Sequence, residues 1–430
     1  MHKNEEAWQK IFDHFNLEES LMKQGFVHIS ANDLKEYGNR EPRLMAKLDT
    51  QEMRPKIFRD LGLTIFPVTN GEYIIFKDPK LKSYYNFNSL LDKTPIEEYI
   101  PTRDMSNFQT LSNKEISSES QAIDFAYLIS LLKTFTGEDE LFLTIRGRSF
   151  SGSFDFTVPQ YNHTVRVDRV QIEVDAGYEG KDRIYIIEAK VGKRGNFHVR
   201  QLYYSFKDWS NKTTKEVVPI FFIYSNGLFY LTQFRFGDNF GDVRVVKSQC
   251  FIINEQPVQS INFKQLLDST IIEREPKVPY PQANDLDKVI DIVTNFISGE
   301  LDNKQNIATH FDFDERQGDY YANAAMYLGF LEREETPSGT FKLTHLGNEM
   351  ANCNNRSQRN LILLKQLLKN PSFNELFKSI ETESDLQSIN IHTIESVIRK
   401  NTTLTLNTPV RRASTVKSWL SWIYKNMEMQ

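Results

Sequence analysis

Arg169-Val170-Gln171-Ile172-Glu173-Val174-Asp175, a glycine-bearing turn, and then Ile184-Tyr185-Ile186-Ile187-Glu188-Ala189-Lys190-Val191 form the stretch on which the reading of this chain depends. The second run is an apolar strand that ends in charge. Strand side chains alternate between faces, so Glu188 and Lys190 share one side and Ala189 packs on the other. Gly177 and Gly180 mark a turn that folds the first strand back beside the second. That return brings Asp175 next to Glu188. Val199, Leu202, Tyr203 and Phe206 then recur at helical spacing. The apolar run Val217–Tyr224 follows, and strand, helix, strand at this length implies a parallel, right-handed crossover. Ser225-Asn226-Gly227 turns the chain into a further strand, Leu228–Phe236.

Two neighbouring carboxylates repel, and burying either alone is costly. A divalent cation resolves the conflict, and a site of one or two carboxylates completed by water and phosphate suits Mg²⁺. The Ala189 carbonyl offers a further oxygen. Such an ion acidifies water and offsets charge growing on a phosphate. Lys190 is placed to hold or help deprotonate the water, or to stabilise the phosphate oxygens. The chemistry that fits is phosphodiester hydrolysis. The bland alternative is a solvated strand rim carrying an ion pair.

Asp175 followed by Glu188-Ala189-Lys190 resembles the PD-(D/E)XK nuclease signature, with Val174 where that signature has Pro. The chain as a whole resembles a type II restriction endonuclease. The resemblance implies an α/β fold: a mixed-sheet nuclease core, an N-terminal α/β region and a C-terminal helical, winged-helix-like domain. It makes Asp175 and Glu188 metal ligands and Lys190 the catalytic lysine. It implies double-stranded DNA as substrate, Mg²⁺ as cofactor, 5′-phosphate ends, a homodimer, and a cognate DNA methyltransferase as functional partner. Nuclease cores of this kind have a helix ahead of the sheet, and some place an acid on it near the metal. Glu119 stands there, either in that role or as a charge favoured at a helix N-terminus. Gln201 occupies the position of an orienting glutamine, or is a solvated helix residue. Tyr204 follows at Gln-x-x-Tyr, one residue short of the usual spacing. Glu173 shares a face with Asp175 and is either a further metal ligand or a spectator.

Length and composition set the frame. A chain of 430 residues implies two or three domains. Hydrophobic content of 40% and a net charge of −5 describe an ordinary soluble protein, not one that coats DNA non-specifically. Cys250 and Cys353 are far apart and belong to no Cys/His cluster, which argues against structural zinc and against a disulfide framework. No signal-peptide core follows the N-terminus, and the Val217–Tyr224 run is too short to span a bilayer. A cytoplasmic location without membrane contact is the expectation.

Four regions follow from pattern and punctuation. Residues 1–110 read as α/β, with Leu61–Phe66 and Glu72–Lys77 forming a hairpin about Thr69-Asn70-Gly71. Within them Arg40, Arg43 and Lys47 either meet DNA or belong to a solvated turn and helix start. Residues 111–272 form the catalytic domain. Its helix runs from Glu119 to Thr136, and Leu141–Ile145, Phe154–Val158 and Arg166–Val174 are strands. Gly147-Arg148-Ser149-Phe150-Ser151-Gly152, between the first two, is a phosphate-cradling loop that would use Arg148, or an ordinary hairpin loop. Pro276, Pro279 and Pro281 make a stiff linker. Residues 283–350 carry helix, helix and hairpin in winged-helix order, with Arg316, Gln317 and Tyr320 on the helix that would enter a groove. Asp312, Asp314, Glu315 and Asp319 crowd its start and would repel phosphates, so a protein-contact role competes. Residues 351–430 are helical, with a Leu361/Leu364/Leu367/Leu368 stripe. Arg411 and Arg412 stand at a helix start, where the dipole disfavours cations. They face an anionic partner or are an exposed pair.

Two further functions stay open. One is a structure-selective repair or recombination nuclease. The other is a non-catalytic winged-helix regulator in which the Asp/Glu/Lys cluster is structural.

Overall fold

The computed structural model describes residues 3–87, 89–105, 107–111, 116–158, 161, 163–237, 241–253, 262–296, 300–335, 339–353, 355–380 and 383–427. Its centre is a seven-stranded mixed sheet. The strands are β1 (Ile96–Tyr99), β2 (Phe142–Phe150), β3 (Gln171–Glu179), β4 (Arg183–Val191), β5 (Glu216–Ser225), β6 (Leu228–Phe236) and β7 (Val243–Ile253). They lie in the order β1-β7-β6-β5-β4-β3-β2. The β4–β5 and β7–β1 pairs are parallel and the rest antiparallel. The expected crossover is present: helix α3 (Arg200–Lys212) carries the chain from β4 to β5. β4 and β5 are almost wholly buried, as their continuous Val, Ile and Phe runs require.

Both faces of the sheet are covered. Helices α1 (Glu119–Leu128) and α2 (Leu131–Thr136) pack Ala122, Ile123, Phe125 and Leu132 against Ile187, Ala189, Ile220 and Phe222. The sequence predicts one helix from Glu119 to Thr136. It breaks at Ser130, whose φ of 68° is left-handed and ends the α-helical ladder. On the other face α3 lays Leu202 and Tyr203 over Phe221 and Ile223. The N-terminal hairpin packs there too, through Phe66, Val68, Ile74 and Phe76. That hairpin, Leu63–Thr69 with Glu72–Lys77, gains a third strand in Phe26–Ser30. β1 lies before residue 110, yet it is an edge of the central sheet.

Two local readings change. Of the expected loop Gly147–Gly152, residues up to Phe150 belong to β2, with Arg148 opposite Glu173, and only Ser151 and Gly152 lie beyond the strand. The predicted strand Arg166–Val174 is two strands, His163–Val167 and β3, divided at Arg169, which has φ 52°.

The C-terminal region is helical apart from the hairpin Leu331–Arg333/Phe341–Leu343. The hairpin loop at Thr336-Pro337-Ser338 lies outside the described residues. Helices Leu286–Thr294, Lys304–His310, Glu315–Tyr327, Arg356–Lys369 and Thr408–Asn426 share one core, in which Leu363, Leu364, Leu367, Leu368 and Trp419 are fully buried. Leu361, placed in that stripe by the sequence, is only partly buried. The proline-bearing stretch is no free spacer. Tyr280 is buried against Tyr327, and Glu275 accepts bonds from Tyr327 and Ser372. The region docks on the sheet through buried polar contacts. Asp291 accepts bonds from the Ser225 hydroxyl at 2.5 Å and Asn226 N at 2.8 Å, and Arg359 donates to Asn226 at 3.1 Å.

Candidate active site

The two strands of the opening motif pair as the sequence implies. Ile187 stands opposite Ala176 as the last pair of the register, and Glu188 and Asp175 are the next residue on each strand. There the ladder ends, and the Asp175 carboxylate accepts the Ala189 N–H at 2.7 Å. A bulge explains the aim of this aspartate. Against β2, Gly177 pairs with Ile145 and Val174 with Gly147, so Asp175 and Ala176 together oppose one residue, Arg146. Simple alternation would put Val174 and Ala176 on one side. Instead Val174 packs with Ile184 and Ile186, and Ala176 packs toward α1. Bulges re-aim side chains in this way, and they recur beside functional sites.

Around that point the side chains converge. Lys190 Nζ donates to Glu188 Oε1 at 2.7 Å, to the Ala189 carbonyl at 2.9 Å and to Glu119 Oε1 at 3.4 Å. Gln201 Nε2, from the first turn of α3, donates to the same Glu188 oxygen at 2.7 Å. Glu119 arrives from the first turn of α1, whose start is capped by the Ser118 hydroxyl accepting from Gln121 N. Asp175, Glu188, Ala189, Lys190, Glu119 and Gln201 are therefore one cluster. Glu173 sits apart at its rim, half exposed and paired with Arg148 at 3.1 Å.

The cluster is poor in solvent and rich in negative charge. Glu188 is only 8% exposed. Burial, and after it the Asp175 and Glu119 charges, outweigh the Lys190 ammonium and push Glu188 up to about 8. Burial likewise lifts Asp175 to about 6, with Glu119 and Glu173 adding to it. Burial works against the Lys190 charge, but Glu188, Glu119, Asp175 and Asp312 prevail and hold the amine well above its ordinary range. Three acids around one ammonium leave an excess of negative charge that one small cation would balance. The donor set of two carboxylates and a backbone carbonyl is that of a hard, oxygen-seeking ion. Among the described residues no three His, Cys, Asp or Glu side chains already close on a single point. Lys190 holds the central place among the oxygens.

The cluster lies in a cleft of about 810 Å³ with three walls. One is the sheet and α3. A second is N-terminal: Arg43, Lys47, Asp49 and the hairpin tip at Asn70-Gly71. The third is C-terminal: Thr309, His310 and Asp312. Of the three basic residues expected near DNA here, Arg43 and Lys47 line the cleft, and Arg40 is not among its lining residues. Arg148 lines it, paired with Glu173. Arg200 pairs with Asp49 at 3.2 Å. Arg316, Gln317, Tyr320, Arg411 and Arg412 are not among the lining residues and belong to another surface. Tyr204 does not reach the acids; its hydroxyl bonds the Pro67 carbonyl at 2.8 Å and ties α3 to the N-terminal hairpin.

Asp312 is the residue that sequence reading misplaced. It is not a solvent-facing repulsive charge but a buried joint. Arg194 approaches it at 3.4 Å, Lys47 at 3.4 Å, and the Thr50 hydroxyl donates to its carbonyl at 2.5 Å. Burial opposes its charge, yet Arg194, Lys190 and Lys47 hold its pKa below the ordinary carboxylate value. Arg194 and His310 were also missed. Arg194 donates to the His310 carbonyl at 2.5 Å, and burial depresses the His310 imidazole to about 4. No spacing in the sequence links residues 47, 194 and 312.

Three family models match the chain, each described as a domain of unknown function: DUF6996 over residues 5–75, DUF6997 over 79–252 and DUF7226 over 288–428. No curated protein and no solved structure matches it. The acid–lysine cluster falls entirely within the central match. The cleft walls come from all three. Among the described residues no helix is long and apolar enough to cross a membrane.

Proposed function

We propose that this protein is a Mg²⁺-dependent endonuclease of the type II restriction class, with a PD-(D/E)XK core and a winged-helix-like C-terminal part, acting on double-stranded DNA. The observation that carries this reading is Asp175, Glu188 and Lys190 meeting on adjacent strands at the floor of a cleft, with Glu119 and Gln201 drawn into the same spot. Asp175, Glu188 and the Ala189 carbonyl would hold Mg²⁺, with Glu173 available at the rim. When bound, the ion offsets phosphate charge and acidifies a water.

The residues divide the remaining work. Lys190 keeps its proton at neutral pH, so it serves as a fixed cation for the phosphate oxygens rather than as a base. Gln201 holds Glu188 in one rotamer by its 2.7 Å bond. Glu119 steadies the ammonium from the opposite side. Arg43 and Lys47 on the N-terminal wall, and Arg148 opposite, hold backbone phosphates on either side of the scissile bond. Water oxygen bonds to phosphorus and the bond to the 3′ oxygen breaks; the water gives up a proton to solvent, the departing 3′ oxygen takes one from solvent, and the products are a 5′-phosphate and a 3′-hydroxyl. Cutting both strands calls for two such sites and hence a homodimer. A partner methyltransferase would protect the host's own sites.

Digestion of a mapped plasmid with Mg²⁺ tests this. Discrete fragments are expected. Cleavage confined to branched DNA favours a repair or recombination nuclease. Tight duplex binding in EDTA with no nicking at any protein excess favours a winged-helix regulator.

A further inference from the structure

Two C-terminal helices begin at the same place. Near the end of Glu315–Tyr327, Tyr327 meets Trp419 of Thr408–Asn426 with ring centroids 6.4 Å apart. Seven residues earlier on each helix, Tyr320 lies within electrostatic reach of Arg412. Seven residues are about two turns. The ring contact at one point and the charge interaction two turns earlier on each helix place the first turns of the two helices at one end.

That end gathers Arg316, Arg411 and Arg412. Arg316 stacks on Tyr320, 5.4 Å from its ring centre, and donates to its hydroxyl. Arg411 and Arg316 are exposed, whereas Arg412 is half-buried, its Nε and Nη1 covered by protein and without a hydrogen-bond partner. Among the described residues none of the three guanidiniums is in an ion pair with a carboxylate. The neighbouring acids are all engaged elsewhere. Asp312 is buried with Arg194 and Lys47, and Asp314 caps its own helix by accepting from Gln317 N. Glu315 pairs with Lys304 at 2.8 Å, and Asp319 with Arg333 at 3.1 Å. Asp312, Glu315 and Asp319 are paired within the protein, and Arg316 and Arg411 are the arginines that face outward.

Adjacent like charges at a helix start, opposed by the dipole and lacking a carboxylate, are unfavourable in the free protein. A polyanion removes the penalty. The segment leading into the second helix adds an apolar knob: Leu406 is 84% exposed at φ 54°, and Val410 follows it, also exposed. Phosphate-binding arginines beside an exposed aliphatic residue suit a nucleic-acid backbone and the groove wall next to it.

We propose that this end of the C-terminal region is a duplex-DNA docking surface, separate from the cleft, in which the exposed Arg316 and Arg411 hold backbone phosphates, the half-buried Arg412 adds positive charge behind them, and Leu406 lies against a groove. The choice of DNA among polyanions rests on the nuclease reading of the cleft.

The test is fluorescence anisotropy of the full chain with a labelled duplex about three helical turns long, in EDTA, across a salt series. R316Q/R411Q changes only exposed side chains. It should bind roughly tenfold weaker, and its salt slope should fall by about one per arginine. R316K/R411K should restore most of the binding, and L406A should weaken it without altering the slope. A double variant with the parent's affinity and slope overturns the proposal. So does a parent that binds no duplex, or that prefers single strands, RNA or anionic vesicles through the same arginines. If Mg²⁺ cleavage is absent but binding falls in R316Q/R411Q, the surface stands and only the nuclease reading fails. Cleavage with binding unchanged in that variant has the opposite meaning.

Discussion

Lys190 is bonded to three oxygens at once, and its charge is fixed by them. Lys190→Ala should lower plasmid cleavage by about 10²–10³-fold, the scale of losing one preorganised charge at a reacting phosphate. Duplex binding in EDTA should persist. Full cleavage by a folded K190A protein rejects the assignment. The carboxylates supply a second prediction. Folded Asp175 and Glu188 take up protons at about 6 and about 8, above their ordinary values. A raised carboxyl pKa gives stability that is fully present below the unfolded pKa and is lost as pH rises through the folded one. In EDTA these two groups should therefore lower the melting temperature between about pH 4 and about pH 8. Mg²⁺ competes with the same protons, so the Tm gain it gives should be small near pH 5 and largest near pH 9. A gain independent of pH, or one retained in Asp175→Asn, counts against the site. Strand periodicity was enough to read Glu188, Lys190 and Ala189. It could not show that Glu119 and Gln201 complete the cluster, because those distances depend on how two helices seat on the sheet.

Elements reveal where local pattern is overruled. The β3 bulge turns Asp175 into the cleft, and Gly177 permits the close pairing beside it. A Cβ on Gly177 would stand 2.7 Å from that of Ile145. Period-two reasoning reached the right neighbour for Asp175 without the bulge, since the β3–β4 register is regular up to Ala176 and Ile187. It failed at Gly147-Arg148-Ser149, where a glycine in the left-handed region is tolerated inside a bulged edge strand and does not signal a loop. Gly318 offers a sharper test. Helices Lys304–His310 and Glu315–Tyr327 cross so closely that a Cβ there would lie 2.2 Å from the Lys304 carbonyl oxygen. Gly318→Ala should destabilise the chain by roughly 1–3 kcal/mol, the usual cost of overpacking. It should also blunt the salt-dependent DNA binding, because it shifts the turn that carries Arg316. An unchanged melting temperature would show that the crossing relaxes freely.

At the level of the whole molecule, the three matched segments close on one cleft through Asp312. Asp312→Ala would leave the Arg194 guanidinium, only 3% exposed, without its carboxylate. Removing one partner of a buried ion pair costs about 3–5 kcal/mol. Limited proteolysis of D312A should release a C-terminal fragment by cutting in the stretch 270–285, at a rate the parent does not show; equal rates would mean that the docking rests on the Asp291 contacts alone. The sequence legibly marked a helical C-terminal region and a proline-bearing stretch before it. That the stretch is packed, and that an acidic residue is a joint and not a surface charge, depends on pairs from 47 to 265 positions apart. For anyone building chimaeras of this protein, Lys47, Arg194 and Asp312 have to be kept together. A graft that brings a foreign helical part with a neutral side chain at 312 would trap a stranded cation at the seam, and the hybrid would lose one wall of its cleft even with every acid and amine of the central sheet intact.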